Sequence, residues 1–296
     1  MSQGAAPTGP HAASVLDRVR RGLPDLTRAE RRVARTVIAG YPVSGLGTVA
    51  DLAASSATSS ASVVRLVQRL GFEGYSQFQL AIREELATRA SGPADRIRQG
   101  NASWAEPGTL TRASAAATRT IASIPETIPE SEFEAAVELL CDPSRPVGVV
   151  GGRVTGFLGG YLQHHLSRAR RQVSAFPVDG RGGYSALLDV GRRHVLVVLD
   201  VRRYDRDVAS IASAVAGRGA TVILLTDLLM SPIASVAQVV LPVRVDAPSP
   251  FDTTVALLVL VEALATAAVA RLGEGAATRM RQWDALADVP PVTTRS

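Results

Sequence analysis

Short apolar runs in the second half of the chain constrain its fold more than any other feature. Five runs rich in Val, Ile and Leu occupy residues 147–150, 172–176, 195–199, 221–226 and 239–243. Helical patterns separate most of them, at residues 155–170, 205–218 and 231–237. Strands that are apolar on both faces and alternate with helices are typical of a parallel sheet covered by helices on both sides. We therefore predict a doubly wound, five-stranded parallel sheet.

The loops that follow the strands are the candidate binding site of this sheet, because ligands bind outside the carboxyl ends of parallel strands. We expect four loops to meet there, at residues 149–156, 199–207, 225–232 and 247–252. The first is rich in glycine and runs into a helix, whose N-terminus attracts anions, although the spacing G-x-G-x-x-G is absent. The candidate ligand-binding residues are Gly152, Arg153, Thr155, Arg202, Arg203, Asp205 and Ser249.

Two interpretations of the adjacent Arg202 and Arg203 stay open at this point. Their guanidinium groups could bind a carboxylate or a phosphate through paired hydrogen bonds. They could instead form structural ion pairs with acidic neighbours or with a partner subunit. The acidic neighbours are Asp200, Asp205 and Asp207, and they balance three arginines, so the loop has no net positive charge.

In the first half, residues 48–74 (TVADLAASSATSSASVVRLVQRLGFEG) predict two helices joined by a tight turn. Thr48 and Asp51 have the spacing of a capping pair, and a polar turn follows at residues 54–58. The second helix starts at Ser59 and ends before Gly71, a residue type that favours the left-handed conformation after a helix. Its apolar stripe consists of Val63, Leu66, Val67 and Leu70.

The opposite face of this second helix has the composition of a DNA-reading surface. Small side chains at a helix start let the helix enter a major groove, where an arginine reaches a guanine edge or a phosphate. A separate helix earlier in the chain is predicted at residues 28–39, behind a Thr27/Glu30 capping box. It carries arginines suited to backbone phosphates. The candidate DNA-binding residues are Arg28, Arg32, Ser59, Ser60, Ala61, Ser62, Arg65 and Arg69. A helical hairpin in a protein core, with solvated arginines outside, fits the periodicity equally well.

Composition excludes several function classes. All 32 basic residues are arginine, so a Walker-type lysine and a lysine Schiff base are both excluded. Residues 11–100 hold 13 arginines against 8 acidic residues and thus carry the whole net charge of +5. Cys141 is the single cysteine, which fits a reducing cytoplasm. We expect no metal and no cofactor. We also expect no membrane span, because Glu262 interrupts the apolar run at residues 255–270, which predicts a buried or interface helix instead.

Specific segments resemble the RpiR/MurR-type transcriptional regulators. These are LTRAERRVARTVI, TVADLAASSATSSASVVRLVQRLGFEGYSQFQ and the sheet region, and the resemblance covers about residues 16–287. It implies an N-terminal helix-turn-helix domain and a C-terminal SIS (sugar isomerase) domain. It further implies dimers or tetramers that bind operators near sugar-metabolism genes and respond to phosphosugars. Ser62 and Arg65 fall at the characteristic Thr and Arg positions of the family's recognition helix.

The chain departs from the family pattern in the loop after the third strand. In sugar-phosphate binders this loop reads like Ser-x-Ser-Gly-x-Thr, whereas residues 200–205 here read DVRRYD, without a hydroxyl at the three matched positions. In the first loop Thr155 keeps a hydroxyl where the family has Ser, while Arg153 replaces a glycine. The resemblance therefore implies that the phosphate cradle is rebuilt or lost.

The predicted organisation is a disordered tail (residues 1–13), a helix-turn-helix domain (14–90), a linker (91–108), a SIS-like sensor and oligomerisation domain (109–288) and a tail (289–296). The leading hypothesis is a sequence-specific regulator, not an enzyme, that binds double-stranded operator DNA as a homodimer or homotetramer and senses a sugar phosphate or sugar acid. One alternative is a sugar-phosphate isomerase. The other is a DNA-binding protein whose SIS domain serves only for oligomerisation.

Overall fold

The computed structural model describes residues 14–90, 92–98, 107–178 and 180–287. The chain separates into two compact units, residues 1–100 and 101–296. The first is helical, and the second contains a five-stranded parallel sheet with flanking helices, which confirms the predicted fold class. The predicted tails and the middle of the predicted linker lie outside the described residues.

The first unit is built from helices and two short 3-10 turns. They are α1 (Val15–Gly22), α2 (Arg28–Gly40), α3 (Val49–Ser55), α4 (Ser60–Arg69), α5 (Tyr75–Ala90) and α6 (Pro93–Arg98), with 3-10 turns at Leu23–Asp25 and Val43–Gly45. Both predicted capping boxes are present. The backbone nitrogen of Thr27 donates to Glu30 at 2.9 Å, and that of Thr48 donates to Asp51 at 2.8 Å. The helix starts at α2 and α3 are therefore encoded locally.

The apolar stripe of α4 forms the centre of this unit. Val63, Leu66 and Val67 are buried against Phe78 and Ile82 of α5 in one cluster. After α4 the chain turns at Gly71, which has a φ of +83°, a conformation that side chains disfavour. One prediction is wrong here. Ser62, expected on the outer face, is only 4% exposed, because the turn before α4 and α4 itself close over it.

The second unit alternates strands and helices. Its elements are α7 (Thr109–Ala122), α8 (Ile124–Thr127), α9 (Glu130–Cys141), β1 (Val147–Gly151), α10 (Thr155–Ala169), β2 (Val173–Ala175), α11 (Gly180–Asp189), β3 (Val195–Asp200), α12 (Arg206–Gly217), β4 (Thr221–Asp227), a 3-10 turn (Pro232–Ser235), β5 (Val239–Val243), α13 (Val255–Leu272) and α14 (Glu274–Ala287). The strands lie in the order β2-β1-β3-β4-β5, and all pairs are parallel. The five predicted strands are confirmed.

Both faces of the sheet are covered, as the apolar strands require. Alternate residues of β3 point to opposite layers, so Val197 joins the cluster with α9, α10 and α13, while Val198 joins the cluster with α12. Of the described helices, α13 is the one long and apolar enough to cross a membrane. Seven of its residues, including Leu257, Leu260 and Leu264, are nevertheless buried, and these three lie in the cluster on the sheet. Of the two forms predicted, a buried or an interface helix, these contacts support the buried one, since one face of α13 packs on the sheet.

Three local features of this unit differ from what the sequence suggests. Ser131 and Glu134 have the spacing of a capping box, but none forms, because α9 already begins at Glu130 behind Pro129 and Ser131 lies inside the helix. The helix expected at 231–237 is only the 3-10 turn, since β5 starts at Val239 and leaves no room for further turns. Conversely α11 was not expected, because its glycine-rich start has poor intrinsic helix propensity.

Candidate DNA interface and sheet-edge site

The start of α4 exposes most of the small polar side chains that the sequence singles out. Ser59 caps the helix and accepts a hydrogen bond from the backbone nitrogen of Ser62 at 3.3 Å. Ser59, Ser60, Ala61 and Arg65 are all exposed. A helix start with short side chains and one long cation can approach the floor of a major groove closely.

Ser62 lies beneath this surface and contacts Arg65. The Arg65 guanidinium donates to the Ser62 hydroxyl at 3.0 Å, and the hydroxyl oxygens of Ser59 and Ser62 are 3.1 Å apart. Because Ser62 is buried, its side chain contacts Arg65 from within the protein and does not lie on the exposed face itself. The sequence could not show this, since it depends on how α4 rotates against its neighbours.

The other predicted DNA-contacting arginines differ in how firmly the protein holds them. Arg69 donates to the carbonyl of Asp25 at 3.0 Å and lies 3.6 Å from Glu30, so it links α4 to the start of α2. Arg32 donates to the carbonyl of Ala57 in the turn between α3 and α4. Arg28 is exposed at the first position of α2. Arg69 and Arg32 therefore support the helix-turn-helix geometry.

In the second unit, the loops that follow neighbouring strands meet at the carboxyl edge of the sheet, as expected. The Thr155 hydroxyl donates to the carbonyl of Leu199 at 2.5 Å and accepts from the backbone nitrogen of Gly152 at 2.9 Å. It thereby joins the β1 loop to β3. Thr155 is only 3% exposed, so the hydroxyl predicted to contact a ligand is used inside the protein. A side chain at Gly152 would come within 3.3 Å of Asp205, which explains the glycine there.

Two buried aspartates that end strands β3 and β4 shape these loops. Asp200 accepts hydrogen bonds from the Ser231 hydroxyl at 2.5 Å and from the backbone nitrogen of Asp205 at 3.1 Å. Burial raises the pKa of Asp200 to about 6. Asp227 accepts from the backbone nitrogen of Arg202 at 2.8 Å and from the Tyr204 hydroxyl at 3.2 Å, and burial raises the pKa of Asp227 as well. Through these hydrogen bonds, both carboxylates fix the conformation of the loops at the carboxyl edge of the sheet.

Arg202 forms structural ion pairs, which is one of the two interpretations left open by the sequence. Its guanidinium donates to Asp246 at 2.5 Å and lies 3.5 Å from Asp252, and its side chain is 11% exposed. Burial alone lowers the pKa of Arg202, but the two facing carboxylates raise it above its ordinary value. The acidic neighbours expected to pair with Arg202, namely Asp200, Asp205 and Asp207, are not the carboxylates that it contacts. Asp205 instead caps α12 by accepting from the backbone nitrogens of residues 207 and 208.

The remaining predicted residues of the edge are more accessible. Arg203 is exposed in a left-handed conformation, with a φ of +64°, and Arg153 is exposed in the β1 loop. Ser249 is half-buried and accepts from the backbone nitrogen of Phe251 at 3.1 Å. Five further residues of this edge were not predicted, although all but Asp246 lie in the four predicted loops; they are Asp227, Ser231, Tyr204, Asp246 and Asp252. Within the part of the chain that the structure describes, no group of three His, Cys, Asp or Glu residues could hold a metal ion.

Comparisons with known proteins identify a known domain in each unit. Residues 13–89 match the helix-turn-helix domain of the rpiR family, and residues 143–267 match the SIS domain. The chain is 24% identical over 268 residues to the HTH-type transcriptional regulator HexR of Pseudomonas aeruginosa, spanning 88% of this chain and 90% of HexR.

Two solved structures share the fold. One is the sugar isomerase domain of an RpiR transcription factor from Sphaerobacter thermophilus, with a TM-score of 0.54 and 23% identity over 60% of this chain and 98% of that one. The other is the Vibrio vulnificus NanR protein complexed with ManNAc-6P, with a TM-score of 0.50 and 20% identity over 95% of this chain and all of NanR. Along the chain, a helix-turn-helix domain is followed by a SIS domain, which agrees with the helical unit and the parallel-sheet unit of the structure. The chain belongs to the RpiR family of transcriptional regulators, with an N-terminal helix-turn-helix domain and a C-terminal SIS domain.

Proposed function

We propose that this regulator reads double-stranded operator DNA with the exposed start of α4. The observation that carries the proposal is the exposed set Ser60, Ala61 and Arg65 at one helix start, on a unit whose arginines outnumber its acidic residues. In this arrangement Ser60 and Ala61 allow α4 to approach the bases, and Arg65 contacts a guanine edge or a phosphate. Arg28 contacts the backbone, while Ser59, Ser62, Arg32 and Arg69 hold the reading helix in place.

Fluorescence anisotropy with promoter DNA from beside its gene tests this function. We expect tight binding that weakens with increasing salt, because arginines displace counterions from phosphates. The affinity of a DNA-binding protein for its specific site typically exceeds its affinity for non-specific DNA by about a thousandfold or more. Equal, micromolar binding to a scrambled fragment of the same length would contradict sequence-specific recognition.

For the SIS unit we propose a small anionic effector, a sugar phosphate or a sugar acid, bound at the carboxyl edge of the sheet. The exposed cations Arg153 and Arg203 at this edge support an anionic ligand, and NanR, which shares the fold, was solved with ManNAc-6P. A thermal-shift panel of sugar phosphates, sugar acids and amino-sugar derivatives tests the proposal, because a ligand that binds the folded state raises the unfolding temperature. If no member stabilises the protein, the SIS unit serves only for oligomerisation.

We further propose that the protein acts as a homodimer or homotetramer. An apolar stripe along one side of α10 is left exposed within the chain, formed by Val154, Phe157 and Tyr161, with Phe157 81% exposed. Exposed apolar patches of this kind mark contact surfaces. The expected contribution of α13 to such an interface stays a prediction. Light scattering should detect a dimer or a larger assembly, and Phe157→Glu should shift it towards the monomer.

We further propose that the protein is a cytoplasmic regulator and not an enzyme. An isomerase needs a base beside its bound substrate. Asp200 has a pKa near that of such a base, but it is 2% exposed and both its carboxylate oxygens accept hydrogen bonds from the loops. Turnover of any ketose or aldose phosphate by the purified protein would support the isomerase alternative.

A further inference from the structure

The buried apolar stripe of α4 determines which residues lie in the middle of the opposite, exposed face. Successive residues of a helix are turned by about 100° around its axis. On this measure Ala61, Arg65 and Gln68 all lie within about 35° of the direction opposite the stripe, and all three are exposed. Arg69 lies further round the helix, where it donates to the carbonyl of Asp25. Gln68 is therefore as central to the exposed face as Arg65.

The side-chain amide of Gln68 forms no hydrogen bond within the described part of the chain. The two other glutamines described in this unit are both bonded to the backbone. The side-chain oxygen of Gln77 accepts from the backbone nitrogen of Glu73 at 2.6 Å, and the amide of Gln79 donates to the carbonyl of Gly47 at 2.6 Å. Gln68 thus keeps both of its donors and its acceptor oxygen for a partner outside the chain.

Gln68 and Arg65 are close enough along the helix to contact neighbouring base pairs. Three residues of a helix span about 4.5 Å along its axis, and stacked base pairs are about 3.4 Å apart. Helical side chains lean towards the N-terminus of their helix, so the Gln68 side chain extends back over the turn that carries Arg65. Ala61 lies on the same face one turn earlier, and its short side chain leaves room for the DNA.

We propose that Gln68 determines part of the operator sequence by recognising an adenine, within about two base pairs of the contact made by Arg65. In the major groove adenine presents the N7 acceptor beside the N6 amino donor, and a glutamine amide matches this pair with two hydrogen bonds. Guanine presents two acceptors there, cytosine an amino donor and thymine an acceptor, so none of them matches both sides of the amide. This inference rests on the proposed function of α4 and assigns the operator an A·T pair at this position.

Anisotropy titrations of the full chain against promoter fragments that each carry one changed base pair test this assignment. For the unmodified protein, replacing the A·T pair by any other pair should weaken binding by about tenfold. Gln68→Ala should bind the promoter about tenfold more weakly and should no longer distinguish it from the fragments changed at that pair, while every other base preference remains. Gln77→Ala is the matched control, since it removes an exposed glutamine from α5, and it should keep the preference for adenine.

Gln68→Glu separates base recognition from any general role of this side chain, because it keeps the shape and replaces the amide donor by an acceptor. A carboxylate accepts from the amino group of cytosine, so this variant should bind the fragment with cytosine in place of that adenine more tightly than it binds the promoter.

Two results with Gln68 variants that fold normally would overturn the inference while leaving the proposed function intact. One is a promoter preference in which Gln68→Ala relaxes no A·T position, whether affinity is unchanged or falls equally for all fragments. The other is a Gln68→Glu variant that still prefers adenine. An unmodified protein that binds the promoter no better than a scrambled fragment would instead contradict the proposed function itself, and this inference with it.

Discussion

The start of α4 and the carboxyl edge of the sheet are both lined by arginine and hydroxyl residues, but the protein uses them differently. At α4, Arg65 is exposed and its described contact is with one serine. At the sheet edge, Arg202 is mostly buried between two carboxylates, and the Thr155 hydroxyl is bonded on both sides. One surface presents its polar groups to a partner, whereas the other has bonded most of them to each other.

We attribute this difference to the partner proposed for each surface, operator DNA at α4 and a small anionic effector at the sheet edge. DNA is a large polyanion that approaches an exposed helix, so exposed arginines suffice. A small ligand at a sheet edge meets groups that are partly buried, where an unpaired charge would be costly, so the protein supplies counterions of its own. The four predictions below test whether the two sets of residues are separated in this way.

The largest effect is expected from Arg202→Ala. Removing one partner of a buried pair leaves the other charges uncompensated, and the free energy of unfolding of the SIS unit should fall by about 3 kcal/mol. Chemical denaturation measures this change. Arg281→Ala is the matched control, because Arg281 and Glu274 form an exposed pair, and it should change stability by less than about 1 kcal/mol. Equal effects of the two substitutions on the free energy of unfolding would show that the ion pairs of Arg202 do not stabilise the SIS unit.

Arg65→Ala should reduce the affinity for DNA and leave the stability of the protein unchanged. We expect operator affinity to fall by about 2 kcal/mol, through loss of a base or phosphate contact, with the unfolding temperature unchanged because Arg65 is exposed. Anisotropy and thermal unfolding together separate the two quantities. Arg83→Ala, on the exposed side of α5, serves as the control and should leave affinity within twofold or so. A loss of stability without a loss of affinity would remove Arg65 from the DNA interface.

The buried Asp200 should make the SIS unit less stable as the pH rises. Its pKa in the folded protein is raised to about 6, above the unfolded value, so the stabilisation is complete below the unfolded pKa of about 4 and is lost as the pH passes through 6. Between about pH 5 and 7 the unit should lose about 1 kcal/mol from this group. Thermal unfolding across that range should show the slope, and Asp200→Asn should reduce it, leaving the part that comes from Asp227, whose pKa is also raised by burial. An identical slope in the variant would assign the titration to another group.

The smallest effect concerns Ser62. If it orients Arg65 from beneath, Ser62→Ala should reduce operator affinity by about 0.5–1 kcal/mol, the worth of one hydrogen bond. Ser62→Thr, which keeps the hydroxyl, should restore most of it. Anisotropy with the same promoter fragment measures both variants. A loss in Ser62→Thr as large as in Ser62→Ala would mean that the hydroxyl itself is not what matters.

Most local signals in the sequence predicted the structure correctly, with the helix at residues 231–237 as an exception, whereas contacts between distant residues were not predictable. The capping pairs Thr27/Glu30 and Thr48/Asp51 lie three residues apart, and the apolar strands encode their own burial, so both were predictable. The partner of Arg202 is 44 residues away, on a loop whose position depends on the whole sheet, and no local pattern identifies it. The burial of Ser62 depends on the rotation of α4 within its unit, which periodicity leaves uncertain by one helical position.

The central claim is that the exposed start of α4 reads an operator sequence. Its most direct test is an anisotropy titration of the full chain against promoter DNA and a scrambled fragment of equal length, with the unmodified protein and Arg65→Ala compared at one salt concentration. We expect a preference for the promoter of about a thousandfold, and a loss of promoter affinity of about tenfold or more in Arg65→Ala. Equal affinity for the two fragments, or a promoter affinity that Arg65→Ala leaves intact, would contradict this claim.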